Sequence, residues 1–297
     1  MKNQRYGIEI EFTGITRARA AQAVADTLNS QSSYDGGAYN TYSVRDAGGR
    51  RWKIVSDSSI RQENSNSSYA GPEYRCELVS PICNYEDIET IQEIVRAIRR
   101  AGAKVNESCG LHVHIDASQH TAKSLKNIAN IMASKETMLF KALQVRPERI
   151  DKWCKKVEGK LLDELTKKRP KTIAEVKKIW YEGRDGSYNH YHSSRYHALN
   201  LHSVFQKGTV ELRMFNSTLH AGKVKAYIQL CLAISNQAKI QKGASRRETV
   251  SENPKFTFRT WLIRLGLNGE EYKTARYHLL ANLEGDIAWR DNRRISA

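Results

Sequence analysis

No stretch of this 297-residue chain approaches the run of about eighteen apolar residues that a membrane span needs. No charged segment followed by an apolar core opens it in the manner of a secretory leader. A soluble, cytoplasmic protein is the expectation. Cysteines are few and their spacing shows no pairs: Cys76, Cys83, Cys109, Cys154 and Cys231 form neither a disulfide framework nor a zinc pattern, so reduced thiols are expected. Internal repeats and low-complexity tracts are missing too, and a hydrophobic content of 40% argues against disorder. The chain is long enough to bury a core as one domain over residues 1–297, with a basic helical insertion at about 145–185.

Charge is present in quantity but unevenly. Of the formal +16, the segment 146–297 holds +14, with 30 Lys and Arg against 16 Asp and Glu. The densest run extends from Lys152 through Lys178. Its apolar positions, among them Leu161, Leu162, Leu165, Val176 and Ile179, recur at helical spacing and predict two helices broken at Arg169-Pro170. A charge run of this kind is usually a solvated helix face; its functional counterpart is attraction of an acidic macromolecule, whether nucleic acid, acidic peptide or phosphorylated carrier. The Tyr- and His-rich stretch from Tyr188 to His197 reads as a loop whose aromatics either stack on bases or wall a ligand site.

Four segments share one alternation. In Gly7-Ile8-Glu9-Ile10-Glu11-Phe12, a strand would send Ile8, Ile10 and Phe12 one way and both carboxylates the other. Arg75-Cys76-Glu77-Leu78-Val79 sets Glu77 opposite Cys76 and Leu78, with Pro81 closing the strand. The segment 109–116 places His112, His114 and Asp116 against Leu111, Val113 and Ile115. In 208–215, Glu211 lies beside Arg213, away from Val210, Leu212 and Met214. If these strands lie in one sheet, their polar faces form a floor of Glu9, Glu11, Glu77, His112, His114 and Glu211. Like charges crowded on one face repel and lose solvent, and a divalent cation relieves both penalties. An oxygen majority with an imidazole suits magnesium or manganese, while zinc is compatible with the imidazoles. A solvated acidic edge strand is the simpler alternative for Glu9 and Glu11 taken alone.

With those motifs in hand, the chain resembles the amidoligases of the carboxylate-amine ligase superfamily, distant relatives of glutamine synthetase and glutamate-cysteine ligase. The resemblance rests on Gly7-x-Glu9-x-Glu11, Trp52 with Asp57-x-Ser59, Glu77-Leu-Val-Ser-Pro81, Cys109-Gly-Leu-His-Val-His114, Arg195-Tyr196 through Asn200, and Gly208-Thr-Val-Glu-Leu-Arg213. It implies an α+β fold, a curved antiparallel sheet backed by helices, whose concave face holds ATP and divalent ions as in the glutamine synthetase catalytic domain. It also implies a reaction in which ATP phosphorylates a carboxylate and an amine displaces the phosphate. By analogy, Glu11 and Glu77 would bind the ion nearer the acyl phosphate, and Glu9, Glu211 and one of His112 or His114, with His112 preferred, the ion on the nucleotide phosphates. Magnesium is the ion implied, with manganese as a substitute. Arg213 and Arg195 would stabilise the transferred phosphoryl, with a guanidinium fork suited to that task. Asp57 and Ser59 would contact ligand and substrate, Asn200 the ribose or phosphate, and His114 the cofactor.

The pattern has departures. Ser58 stands where such proteins more often carry glycine, and the nucleotide loops of glutamine synthetase have no counterpart. The substrates, a carboxylate and an amine acceptor such as an amino acid, peptide or protein, are therefore not inherited in detail. The competing function is a metal-dependent hydrolase or oxygenase built on His112, His114 and a glutamate, acting on nucleic acid. Cys109 is expected to pack as a buried thiol before Gly110 rather than act as a nucleophile. Helices are expected over 17–28, 88–100, 125–143, 224–240, 258–265 and 272–282, irregular hairpins over 34–46, and a polar loop over 61–71.

Overall fold

The computed structural model describes residues 1–288. In chain order, the first half comprises β1 (Tyr6–Phe12), α1 (Arg17–Thr27), β2 (Ser32–Gly36), β3 (Thr41–Arg45), β4 (Arg51–Val55), β5 (Cys76–Val79), α2 (Ile88–Arg100) and β6 (Gly110–Asp116). There follow α3 (Ala122–Leu143), α4 (Pro147–Lys152), α5 (Gly159–Lys168), α6 (Ile173–Trp180), β7 (Leu199–Asn200), α7 (His202–Lys207), β8 (Thr209–Asn216), α8 (Ala221–Ile240), α9 (Pro254–Arg264) and α10 (Lys273–Leu280). The fold is α+β. Its strands form one open, eight-stranded sheet in the order β2-β3-β4-β5-β1-β6-β8-β7, with antiparallel ladders between β2 and β3, β3 and β4, β4 and β5, β1 and β5, and β7 and β8.

Contacts divide the described chain into two compact units. The first holds Lys2–His114 and Phe215–Ile228. Its core begins with the apolar face of β1, where Ile8, Ile10 and Phe12 are essentially inaccessible to solvent. Helix α1 packs on β2, β3 and β4 and on α2. The buried Arg17 at the start of α1 donates to the carbonyls of Asn40, Pro72 and Arg75, so one guanidinium satisfies three carbonyls from two loops. Helix α2 buries Ile88, Ile91, Ile94, Val95 and Ile98, which share one face at i, i+3, i+4 spacing. It ends before Gly102, whose φ of +101° lies in the left-handed region. The polar loop 61–71 is pinned to the end of β1: Thr13 Oγ1 donates to the Glu63 carbonyl and accepts from its N–H, both at 2.8 Å.

The second unit holds Ile115–Met214 and the described residues from Gln229 onward, with Met1. Its long α3 opens on a capping box in which Thr121 and Ser124 exchange hydrogen bonds. The two basic helices form as α5 and α6, and the break between them falls at Arg169 (φ +48°) and Pro170, as expected. Leu162 and Leu165 of α5 and Val176 and Ile179 of α6 turn inward, leaving the lysines outside.

Helix α3 also carries a buried charge that the sequence pattern hides. Glu136 is 1% exposed, and its carboxylate accepts the Val157 N–H at 2.9 Å. Burial pushes its pKa up to about 7, against the opposing influence of that N–H and of Lys156. The folded state therefore holds this proton more tightly than the unfolded chain. Stability from Glu136 is greatest below its ordinary pKa of 4.5 and declines as pH rises to about 7. Glu136→Gln keeps an acceptor for Val157 and removes the titration. Urea unfolding at pH 5 and pH 8 should show wild-type stability falling by on the order of 3 kcal/mol more than the variant's; parallel pH profiles would refute the assignment.

Candidate active site

The register of β1 and β5 fixes the centre of the first unit. Ile10 pairs with Leu78 and Phe12 with Cys76, so the apolar faces coincide, and the same register sets Glu11 directly opposite Glu77. Directly opposed like charges destabilise a ladder. Glu11 is nearly inaccessible at 4% exposure, and Glu77 is half-buried. The Gly110 N–H at the start of β6 donates to Glu11 Oε2 at 2.6 Å, a charge-assisted bond that holds the carboxylate in place. Ser217 Oγ donates to the backbone carbonyl of the same residue.

His112 joins this pair from β6. Its Nε2 lies 3.9 Å from Glu11 Oε1, and its Nδ1 lies 3.2 Å from Glu9 Oε2. His114 Nε2 approaches that same Glu9 oxygen at 3.3 Å. The structure thus brings both imidazoles to Glu9 and turns His112 toward Glu11 and Glu77 as well. One donor atom from each of Glu11, Glu77 and His112 falls within 4.8 Å of the others. That spacing admits a cation with oxygen and nitrogen ligands at roughly 2.0–2.6 Å. With Nδ1–H donated to Glu9, Nε2 keeps its lone pair on the side of Glu11 and Glu77, the arrangement in which a carboxylate orients a metal-binding histidine. The resemblance groups His112 with Glu9 and Glu211; the structure sets it against Glu9 and within the same reach of Glu11 and Glu77.

A second constellation stands in the other unit. The β7–β8 register pairs Asn200 with Glu211. Asn200 Nδ2 donates to Glu211 Oε2 at 2.6 Å, and the Arg213 guanidinium donates to Glu211 Oε1 at 2.7 Å. All three are buried, at 1%, 2% and 5% exposure. A desolvated carboxylate is costly unless paired and hydrogen-bonded, and here both oxygens have a donor. Arg213 also lies over the Tyr196 ring at 6.0 Å, and Arg195 over the same ring at 5.8 Å and over Tyr191 at 5.6 Å. Arg195 donates to the His190 carbonyl at 2.9 Å, while its buried Nε has no hydrogen-bond partner among the described residues. Asn200, expected at a ribose or phosphate, bonds Glu211 in this structure.

Asp57 and Ser59 sit in the turn after β4. Asp57 Oδ1 accepts the Ser59 N–H at 2.6 Å, and the Ile60 N–H bonds the Asp57 carbonyl at 3.3 Å. Ser58 fits this turn, which needs no positive φ there. Trp52 is fully buried, with Nε1 donating to Asp46 Oδ2 at 3.2 Å, and belongs to the core. The backbone N–H of Gly110 and the hydroxyl of Ser80, which accepts the Ile8 N–H at 2.9 Å, are contributors the sequence reading missed. Their only signal was a place inside two motifs.

All five cysteines are free and buried. Desolvation raises the thiol pKa of Cys83 to about 12 and of Cys154 to about 11, and raises those of Cys76 and Cys231 further. Cys109 is buried and donates weakly to Asn106 Oδ1 at 3.5 Å. These thiols are packing groups.

Loss of the Asn200 donor should leave a buried carboxylate short of a partner. Asn200→Ala is expected to lower stability by about 1–3 kcal/mol. Asn200→Asp should lower it more, since it sets a second carboxylate against Glu211. Urea midpoints at pH 7 compare the two; an Asp variant as stable as Ala would refute the contact.

Comparison with known families agrees with this arrangement of motifs. A family model described as "putative amidoligase enzyme" matches residues 2–235, a span that includes every residue of both constellations. A search of curated proteins returned no match. From its strands, its carboxylates and its arginines alike, this chain belongs to the amidoligase family.

Proposed function

We propose that this protein is an ATP- and magnesium-dependent carboxylate-amine ligase, which activates a carboxylate as an acyl phosphate and joins it to the amine of an amino acid, peptide or protein. Membership of the amidoligase family makes it a ligase forming amide bonds; the nucleotide, the metal and the glutamine synthetase-like curvature of the sheet belong to the proposal. The observation that carries it is the trio of Glu11, Glu77 and His112, with donor atoms within 4.8 Å on neighbouring strands.

The residues fit the metal on chemical grounds. Two opposed carboxylates and one imidazole form a hard, oxygen-rich donor set suited to magnesium or manganese. Glu11, Glu77 and His112 would hold the ion, which supplies charge neutralisation for phosphate oxygens when bound. Gly110 holds Glu11 through its N–H, and Glu9 fixes the rotation of His112. Glu211, itself held by Asn200, anchors the Arg213 guanidinium, whose planar fork would suit a phosphoryl oxygen. Arg195, with its Nε buried and unpartnered, is a second guanidinium for the same anion.

Incubation with magnesium, ATP and pooled amino acids, peptides or polyamines, followed by phosphate release and mass spectrometry of condensation products, tests the activity. Absence of magnesium-dependent ATP binding would defeat the proposal. Glu77→Gln should abolish binding of manganese, followed by its paramagnetic signal, and in chelator should melt no lower than wild type, because it removes a like-charge contact. Retained manganese binding would exclude Glu77 as a ligand. Arg213→Lys should reduce kcat by about 100-fold or more, nearly as much as Arg213→Ala, because a point charge does not reproduce the fork. Near-wild-type kcat in the Lys variant would remove Arg213 from phosphoryl stabilisation.

A further inference from the structure

The second unit contains a cleft of about 670 Å³ that neither constellation uses. It lies among α5, α6, the segment around Lys155 and the loop leading to β7. That volume is within the range of sites for small ligands or short peptide segments, roughly 300–1,000 Å³. Leu161, Ile179 and Leu199 give it an apolar base, and Trp180 and Tyr181 an aromatic wall. Trp180 is fixed by its Nε1 donating to Ser194 Oγ at 2.9 Å. Gly186 lets the loop close here: a Cβ on it would lie 2.5 Å from the His192 ring.

The charges at this cleft are not interchangeable. Glu164 is paired with Lys168 at 2.5 Å and Glu182 with Lys160 at 2.6 Å, and Glu158 contacts the His197 ring at 3.3 Å. Lys155 and Arg184 also line it and have no acidic partner among the described residues. Both are exposed. The cleft therefore combines two unmatched cations with an apolar and aromatic base. A ligand that completes it carries carboxylates at intervals and apolar side chains between them.

We propose that this cleft binds a short acidic peptide segment, with Lys155 and Arg184 as its carboxylate anchors and Trp180 and Tyr181 packing its apolar side chains. Two unmatched cations suit spaced carboxylates better than a backbone with a phosphate at every nucleotide. The ligase assignment enters only in naming the bound segment as part of an amine or carboxylate substrate; binding itself needs neither nucleotide nor metal.

The test is fluorescence anisotropy of a labelled, Asp- and Glu-rich octapeptide containing two leucines, titrated with full-length protein in chelator, without ATP, at 0.15 M salt. Wild type should bind saturably. The double variant Lys155→Glu/Arg184→Glu should weaken binding at least tenfold. Lys167→Glu/Lys171→Glu, which changes net charge equally in the same basic region but outside the cleft, should change it less than twofold. Trp180→Ala should weaken binding of the leucine-containing peptide and leave an all-glycine acidic analogue unaffected. Equal losses from the two double variants would show a diffuse field and overturn the proposal, as would no binding by wild type. Tighter capture of a single-stranded oligonucleotide of equal charge, lost with the same pair, would overturn it in favour of nucleic acid. Because ATP is absent, peptide binding without any ligase activity would defeat only the proposed function, and ligase activity without peptide binding only this one.

Discussion

Everything at the candidate active site follows from the placement of Glu11 opposite Glu77 on paired strands. The apolar partners Ile10, Phe12, Cys76 and Leu78 fix that register, because a slip of one residue would turn the buried face of β1 to solvent. Two carboxylates less than 4.8 Å apart repel by roughly 3 kcal/mol at an effective dielectric of about 20. A hydrogen bond such as that from Gly110 to Glu11 offsets about 1.5–3 kcal/mol, for one member of the pair. The pair is resolved fully only by a shared proton or by a cation, and His112 adds a third ligand to the same space. A fold in which core packing enforces a carboxylate pair creates a place where added positive charge is favoured.

The same chain handles other buried carboxylates differently, and the contrast clarifies what each is for. Glu211 has both oxygens satisfied internally, by Arg213 and by Asn200. One effect of those bonds is to tie a guanidinium to its place on β8. Glu136 has a single N–H donor at its carboxylate and a distant lysine; it meets burial by staying protonated up to about pH 7. Glu11 and Glu77 instead face one another across paired strands. Unlike Glu136 and Glu211, this pair combines mutual repulsion with an imidazole nitrogen within the same reach.

The strands and most helices were legible because their signals are local. Alternation located β1, β5, β6 and β8, and the face formed by Ile91, Ile94, Val95 and Ile98 located α2. The stretch 34–46, expected as irregular hairpins, falls in antiparallel ladders of β2, β3 and β4, with a register shift in β2 between Tyr34 and Gly36. The reason lies in β2: Ser33, Tyr34 and Asp35 are exposed on both faces, so no buried side imposes a period on the sequence. Helix α4, six residues long, is too short to show one. At the site, ligand types were legible from motif chemistry, but partner choice was not. That His112 faces Glu11 as well as Glu9, or that Asn200 holds Glu211, depends on register and on β6 being buried across both faces. Backbone donors such as Gly110 carry no side-chain signal at all.

The excess positive charge poses the same problem of separating field from site. A net +14 over residues 146–297 will draw anions toward the protein, but such a field is screened within about 8 Å at physiological salt and discriminates poorly among polyanions. Selectivity requires cations that converge, lack local partners and adjoin surface that a partner can bury. On the exposed faces of α5 and α6 several lysines are engaged by Glu164, Glu182 and Asp185. Those pairs are solvent-exposed and weak in energy, about 0–1 kcal/mol each, yet they cancel charge where it would otherwise be indiscriminate. What is left uncancelled beside an aromatic wall is Lys155 and Arg184. The surplus of lysine thus sets how fast an acidic partner arrives, while two unmatched cations lining the same cleft as Trp180 and Tyr181 set which one stays.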